Sequence, residues 1–309
     1  MQQAKLIIVL LILPLIVLCQ PNTDQSPFKQ MYDLLPTANN YRTATGAPGH
    51  EYYQCRADYK INVELDDKNQ KIYGEETVTF YNNSPDVLTY LWIQLDQNQR
   101  SSDSDSHKIN PESISEKEEI SSIENDKLSF DGGFKLDYVK DTNGKDLKYL
   151  INKTMMRLDL PVPLKKGEKY SFKIKYWYNI NDRMKLGGRS GYEYFTEDDN
   201  YLYTIAQFFP RMCAYNDIEG WQNKQFLGSG EFTLIFGDYL VNITVPSDHL
   251  VAATGTLQNI DKVLSKTQMD KYIRAQKEFV QPVIIATQEE ALEKKKKKSE
   301  TKKTWTFKA

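Results

Sequence analysis

The sequence predicts an all-β protein, a curved antiparallel β-sandwich with a short helical C-terminal segment. Three observations predict it. Apolar and polar residues alternate through successive short runs, which is the period of half-buried strands. Polar turn clusters separate those runs at short intervals. Tyrosine is abundant, with 20 copies in 309 residues, and aromatic rings suit half-buried sheet faces.

The elements follow in order. The strand signal starts at Tyr59, Ile61, Val63 and Leu65, which alternate with polar residues. A polar turn over 66–70 leads to a second strand through Ile72, Val78 and Phe80, with a bulge expected near Gly74. Asn82-Asn83-Ser84-Pro85 turns the chain again. The run VLTYLWIQL (Val87 to Leu95) is almost continuously apolar and reads as a strand buried on both faces. The segment 100–126 is rich in Ser and charge and reads as a long surface loop. Strands resume over Phe134 to Val139, and Asp141-Thr142-Asn143-Gly144 has hairpin-turn composition. Leu147, Tyr149 and Ile151 come next. Met156, Leu158 and Leu160 then alternate up to Pro161. In YSFKIKYWY, Tyr170, Phe172, Ile174, Tyr176 and Tyr178 share one face. Further strands are expected over Glu231 to Phe236, Tyr239 to Val245, Leu250 to Leu257 and the final TWTFKA. Helical signals are confined to 267–277 and to TQEEALEKKKKK, where early Glu and late Lys suit the helix dipole.

Composition excludes some partners. Forty Lys/Arg against 42 Asp/Glu leave a net charge of −2, so no global field draws nucleic acid. The lysine run has no interleaved aromatic residue and reads as a solvated surface. Residues 1–19 read as a signal peptide. Their apolar core, Leu6 to Leu18, is 13 residues long, short of the ~20 that a spanning helix needs. No stable membrane span is expected, and the protein reads as exported, periplasmic or secreted. Residues 20–50 read as an extended lead-in and 51–309 as the sandwich domain. Cleavage after Cys19 leaves Cys55 and Cys213. One disulfide or two free thiols fit the count, and the spacing carries no disulfide framework. Asn82, Asn152 and Asn242 stand in glycosylation sequons.

The chemistry of common active sites is missing. His50, His107 and His249 have no ligand spacing, and there is neither H-E-x-x-H nor G-x-S-x-G. LGGRSG lies between strand signals without a Lys-Ser/Thr pair and reads as a flexible loop. Glu197, Asp198 and Asp199 are adjacent acids without an evident pocket.

One stretch stands apart: YTIAQFFPRMCAYND, Tyr203 to Asp217. It starts as a strand, meets two rings and a proline, and places the Gln207 amide at the edge of apolar surface. Arg211 and Asp217 are placed to pair and lock the turn.

Three segments carry a family resemblance. The segment Tyr41 to Gln99 resembles the amino-terminal domain of the aminopeptidase N family, the gluzincin zinc metallopeptidases that include leukotriene hydrolases. A secreted bacterial branch is the nearest match. YTIAQFFPRMCAYNDIEGWQ is similar to that branch's stretch between a strand and the substrate cleft. TWTFKA resembles the junction before the catalytic domain. The resemblance implies a curved sandwich that leans on a thermolysin-like domain. It also implies that Gln207 accepts the free α-amine of a peptide, with Arg211 and Asp217 as structural support. A Gln carbonyl supplies an acceptor without burying a charge. The family's Gly-x-Met-Glu-Asn and H-E-x-x-H motifs do not occur in this sequence. The expectation is therefore a portion truncated before its catalytic domain and inactive alone. Its partners are the peptide N-terminus and that missing domain. It holds no cofactor itself, and zinc is implied only for the complete enzyme. The alternative is a non-catalytic secreted sandwich that binds peptide or glycan through Tyr192, Tyr194 and Trp221.

Overall fold

The computed structural model describes residues 38–106, 117, 130–228, 230, 233–295 and 298–309, with the side chains of 294 and 295 excepted. The signal-peptide reading, His107 and most of the 100–126 loop lie outside the described residues. The chain divides into two compact units, 1–52 and 53–309. In the first, Arg42 bridges Pro48 and the Thr43 N–H donates to Ala47 O at 2.9 Å, closing a small turn.

The second unit is built on strands. One sheet has seven, in the order β14-β15-β13-β1-β2-β7-β4. These are β1 (Arg56–Asp66), β2 (Lys71–Tyr81), β4 (Lys135–Asp141), β7 (Lys169–Asn179), β13 (Tyr239–Pro246), β14 (Thr256–Leu257) and β15 (Lys302–Lys308). A second sheet has four strands in the order β10-β3-β6-β5. They are β3 (Leu88–Gln94), β5 (Tyr149–Asn152), β6 (Met155–Leu164) and β10 (Arg211–Met212). Two ribbons complete the strands: β8 (Gly191–Phe195) with β9 (Asn200–Thr204), and β11 (Tyr215–Asn216) with β12 (Gly220–Trp221).

One hydrophobic cluster joins the inward faces of both sheets. Ile61, Val78, Phe172 and Ile174 come from the larger sheet, and Leu91, Ile93, Met156 and Leu158 from the smaller. The shared face expected for β7 is observed: Phe172, Ile174, Tyr176 and Tyr178 are all buried, with Tyr170 partly so. The Asp141 carboxylate accepts from the Asn143 and Lys145 N–H groups, each at 2.9 Å, and closes the expected hairpin turn.

The sandwich is antiparallel except at one seam. β1 pairs with β13 in parallel, Tyr59 opposite Tyr239 through Glu64 opposite Thr244.

Other expectations need correction. Gly74 is not a bulge, because β1–β2 and β2–β7 keep register through it. The glycine is needed because the Tyr176 ring lies across it, and a Cβ there would sit 2.2 Å from the ring. Register shifts instead in β3 between Leu88 and Tyr90, against β6, and in β4 between Leu136 and Tyr138, against β7. Nor is β3 buried on both faces throughout: Thr89 is exposed and Tyr90 and Trp92 are half-buried. Among 233–236 no strand forms, and a single bridge links Leu234 to Cys213. The strand expected over 250–257 shrinks to Thr256–Leu257. Strand β6 runs on through Pro161 and Pro163, beyond the end of its pairing with β5 at Leu158.

The C-terminal segment is helical as expected: α1 (Arg183–Leu186) precedes it, followed by α2 (Ile260–Val263), α3 (Lys266–Ala275) and α4 (Gln288–Lys295). Ser265 caps α3, accepting from the Gln268 N–H while Gln268 reaches back to the Ser265 N–H.

Candidate functional site

Strand β3 ends at Gln94 and leads through Leu95 into a 3-10 turn, Asp96–Arg100. This polar turn organises the site. Asp96 is fully buried. It accepts from Gln94 Nε2 at 2.6 Å, Arg211 Nε at 2.8 Å and Arg211 Nη2 at 2.5 Å. Arg211 therefore pairs in bidentate fashion with Asp96, not with Asp217 as the sequence suggested. The reason is register: Arg211 in β10 lies directly opposite Gln94, two residues before Asp96. Asp217 sits in the turn between β11 and β12, where its charge helps to push the Tyr53 phenol upward, after the larger effect of burial.

Gln97, next along the turn, is 3% exposed. Its Nε2 donates to the carbonyls of Ala206 at 3.1 Å and Gln207 at 3.0 Å. The Ser190 hydroxyl accepts from the Ala206 N–H at 3.1 Å. The backbone of 206–207 is thus held from two sides. Gln207 itself has φ of +54°, a left-handed conformation rare for a residue with a side chain. The residue is half-buried, and its side-chain amide makes no hydrogen bond among the described residues.

Below Gln207 the rings form a base. Phe208 and Phe209 meet edge to face at 5.0 Å, and Phe209 meets Tyr59 at 5.4 Å. Tyr59 stacks on Tyr239 at 4.7 Å and accepts the Met212 N–H at 2.9 Å. Burial drives the Tyr59 phenol well above its ordinary value, so it stays neutral.

The alternative contacts separate. Tyr192, Tyr194, Tyr201 and Tyr203 form a row on β8 and β9, with neighbouring centroids 4.8–6.0 Å apart. Trp221 is not in that row; it packs on Phe80 at 5.8 Å and Tyr215 at 5.1 Å. Asp199 pairs with Lys298 at 2.6 Å and accepts from Tyr194, and these contacts hold its carboxyl below the usual range. His249 meets its neighbour Asp248 at 3.1 Å. Cys55 and Cys213 are buried free thiols, and burial pushes both up. Asn82 is fully buried with its amide donating to Asp86 O and Leu164 O, so this sequon is closed to a glycan. No cluster of metal-ligating side chains occurs among the described residues, and no helix among them is long and apolar enough to cross a membrane.

Sequence reasoning missed Asp96, Gln97 and Arg100. The available signal was the polar run DQNQR directly after the most apolar strand of the chain.

Comparison with known proteins gives a partial likeness. No family model matches the sequence, and no curated protein matches it. Among solved structures, an M1 zinc metallopeptidase from Deinococcus radiodurans is similar at TM-score 0.36 and 14% identity, over 84% of this chain and 40% of that one. A mutant of that enzyme bound to a Tyr-Ser-Ala substrate gives TM-score 0.36 and 14% identity, over 82% and 38%. A two-domain M1 zinc metallopeptidase mutant bound to L-arginine gives 0.37 and 14%, over 82% and 39%. The chain spans about 40% of the length of the structures it matches.

Proposed function

We propose that this chain is the substrate-amine-recognising portion of an exported zinc aminopeptidase that removes N-terminal residues from peptides. One observation carries the reading. Gln207 is held in a strained left-handed conformation by Gln97, and its own amide is uncommitted. Gln70 and Lys153 share this φ of 54°, and what sets Gln207 apart is the combination of that backbone with an uncommitted amide. An α-ammonium group leaving water needs acceptors, and the Gln207 carbonyl is one. The pair Asp96–Arg211 keeps the following strand in place without offering a free charge to the ligand.

In the complete enzyme, zinc would be held by a separate catalytic domain and would supply an activated water for attack on the first peptide bond. Strand β5 leaves Leu150 69% exposed and Ile151 39% exposed, an apolar edge suited to docking such a domain. Export rests on the apolar segment Leu6 to Leu18.

The test is a titration of the full chain with Ala-Ala-amide and its N-acetylated form. The free amine should bind at least tenfold more tightly, and Gln207→Ala should abolish the difference. Equal binding of the two forms by the wild type would sink the proposal.

A second reading, a non-catalytic sandwich binding peptide or glycan, is favoured by the tyrosine row of β8 and β9. In that case Tyr194→Ala, not Gln207→Ala, removes binding.

A further inference from the structure

Arg100 closes the same 3-10 turn that carries Asp96 and Gln97. Arg100 is half-buried, and its guanidinium makes one hydrogen bond among the described residues, Nη1 to Gln97 Oε1 at 3.3 Å. It forms no ion pair among the described residues, in contrast to Arg211 in the same site. A guanidinium carries five N–H donors in a planar fork, so most of its capacity is unspent.

The surroundings are shaped to it. Gly188, in the loop before β8, has φ of +89°, and a Cβ there would lie 3.0 Å from Arg100 Nη2. A Cβ on Gly132 would lie 2.3 Å from the Arg100 carbonyl oxygen. Gly132 leaves no room for a side chain against the Arg100 backbone, whereas Gly188, held at positive φ, faces the movable tip of the Arg100 side chain. Tyr178, 2% exposed, is a neighbour whose hydroxyl has no hydrogen-bond partner among the described residues. Burial lowers the Arg100 pKa, and Tyr178 works against that shift. The guanidinium nevertheless stays charged.

Gln97 links this group to Gln207. Its Oε1 holds Arg100 while its Nε2 holds the carbonyls of 206 and 207. One side chain therefore sets both positions at once.

We propose that Arg100 forms a carboxylate-binding subsite for the peptide whose amine Gln207 receives, so that the preferred ligands carry both a free amine and a nearby carboxylate. The proposal rests on the peptide reading above. A half-buried cation without an acid is stabilised by an incoming anion, and a planar fork binds carboxylate in bidentate fashion. The carboxylate comes either from an acidic side chain or from the C-terminus of a short peptide.

The experiment uses the full chain and two matched pairs in calorimetric titration: Ala-Asp-amide against Ala-Asn-amide, and Ala-Ala with a free C-terminus against Ala-Ala-amide. One charged member should bind at least tenfold more tightly than its neutral twin, and the pair that shows the gap identifies the source. Arg100→Gln should close the gap. Arg100→Lys, which keeps the charge and loses the fork, should narrow it and serves if the Gln variant does not fold. Equal affinities within both pairs, or a gap that survives Arg100→Gln, would overturn the proposal. N-acetylated versions separate the two readings. A carboxylate gap without an amine effect removes the role of Gln207 and keeps that of Arg100; the reverse keeps only Gln207. No binding by any of the peptides overturns both.

Discussion

Two carboxylates lie at the same depth in this molecule and are handled in opposite ways. Asp96, at the end of β3, is fully buried and receives two bonds from Arg211 and one from Gln94. Glu76, in the middle of β2, is also fully buried, between Ile61 and Ile174, and neither of its oxygens has a partner among the described residues. Burial alone drives the Glu76 carboxyl well above its usual range. The first carboxylate is paired with a cation where it fastens β10 beside β3. The second has no partner among the described residues, and burial favours its neutral form.

The largest expected effect breaks the first arrangement. Arg211→Met leaves a buried carboxylate without its partner and should destabilise the protein by about 3–5 kcal/mol. Adding Asp96→Leu should restore most of the loss, as read by urea denaturation. A double variant no better than the single one would mean the pair is not what holds β10.

Next comes the wall beside Glu76. In Gly74→Ala the new methyl would collide with the Tyr176 ring. Overpacking of this kind should lower stability by about 1–3 kcal/mol. An unchanged melting midpoint would show that the ring moves freely.

The third test concerns pH. The groups that couple electrostatically to Glu76 are Tyr59 of β1, Tyr176 of β7 and Tyr239 of β13, all phenols themselves pushed up by burial. None supplies a counter-charge. An unfolded Glu titrates near ~4.3, and the folded group titrates higher. Its contribution is therefore complete below the unfolded value and is lost as pH rises toward the folded one. The slope in that window should be about 1.4 kcal/mol per pH unit. Glu76→Gln should flatten it. A variant whose stability keeps the wild-type slope from pH 5 upward would place the titration elsewhere.

The smallest effect joins the two regions. Tyr59 adjoins Glu76 and also accepts the Met212 N–H, next to Arg211. Tyr59→Phe should cost about 1 kcal/mol, a typical net hydrogen bond. Hydrogen exchange at the Met212 amide should accelerate; an unaltered rate would mean that another group protects it.

What was legible in the sequence follows from what each residue needs from far away. Strands β1, β7 and β15 show in their alternation because burial of one face is a local pattern. The all-β class follows from the same signal. The bulge was misplaced because a glycine can answer a distant ring, here Tyr176, as well as a local kink. The strand expected over 250–257 had apolar residues but little to pair with: only Thr256 and Leu257 reach β15. At the site, Gln207 was visible as an amide among rings. Its strained backbone was not, because Gln97 lies 110 residues away. Arg211 was assigned a neighbour in sequence, Asp217, whereas the sheet gives it Asp96, 115 residues distant.

The parallel seam between β1 and β13 has a consequence for synthesis. β1 leaves the ribosome about 170 residues ahead of its flanking strand, Tyr239–Pro246. At ordinary translation speeds of about 5–20 residues per second, the delay is roughly ten to forty seconds. Until it arrives, the edge of β1 that pairs with β13, Tyr59 to Glu64, lacks its partner strand, and an unpaired edge is a site where a holding chaperone would act. Birth of the protein, more than its finished architecture, is where this ordering of strands will be felt.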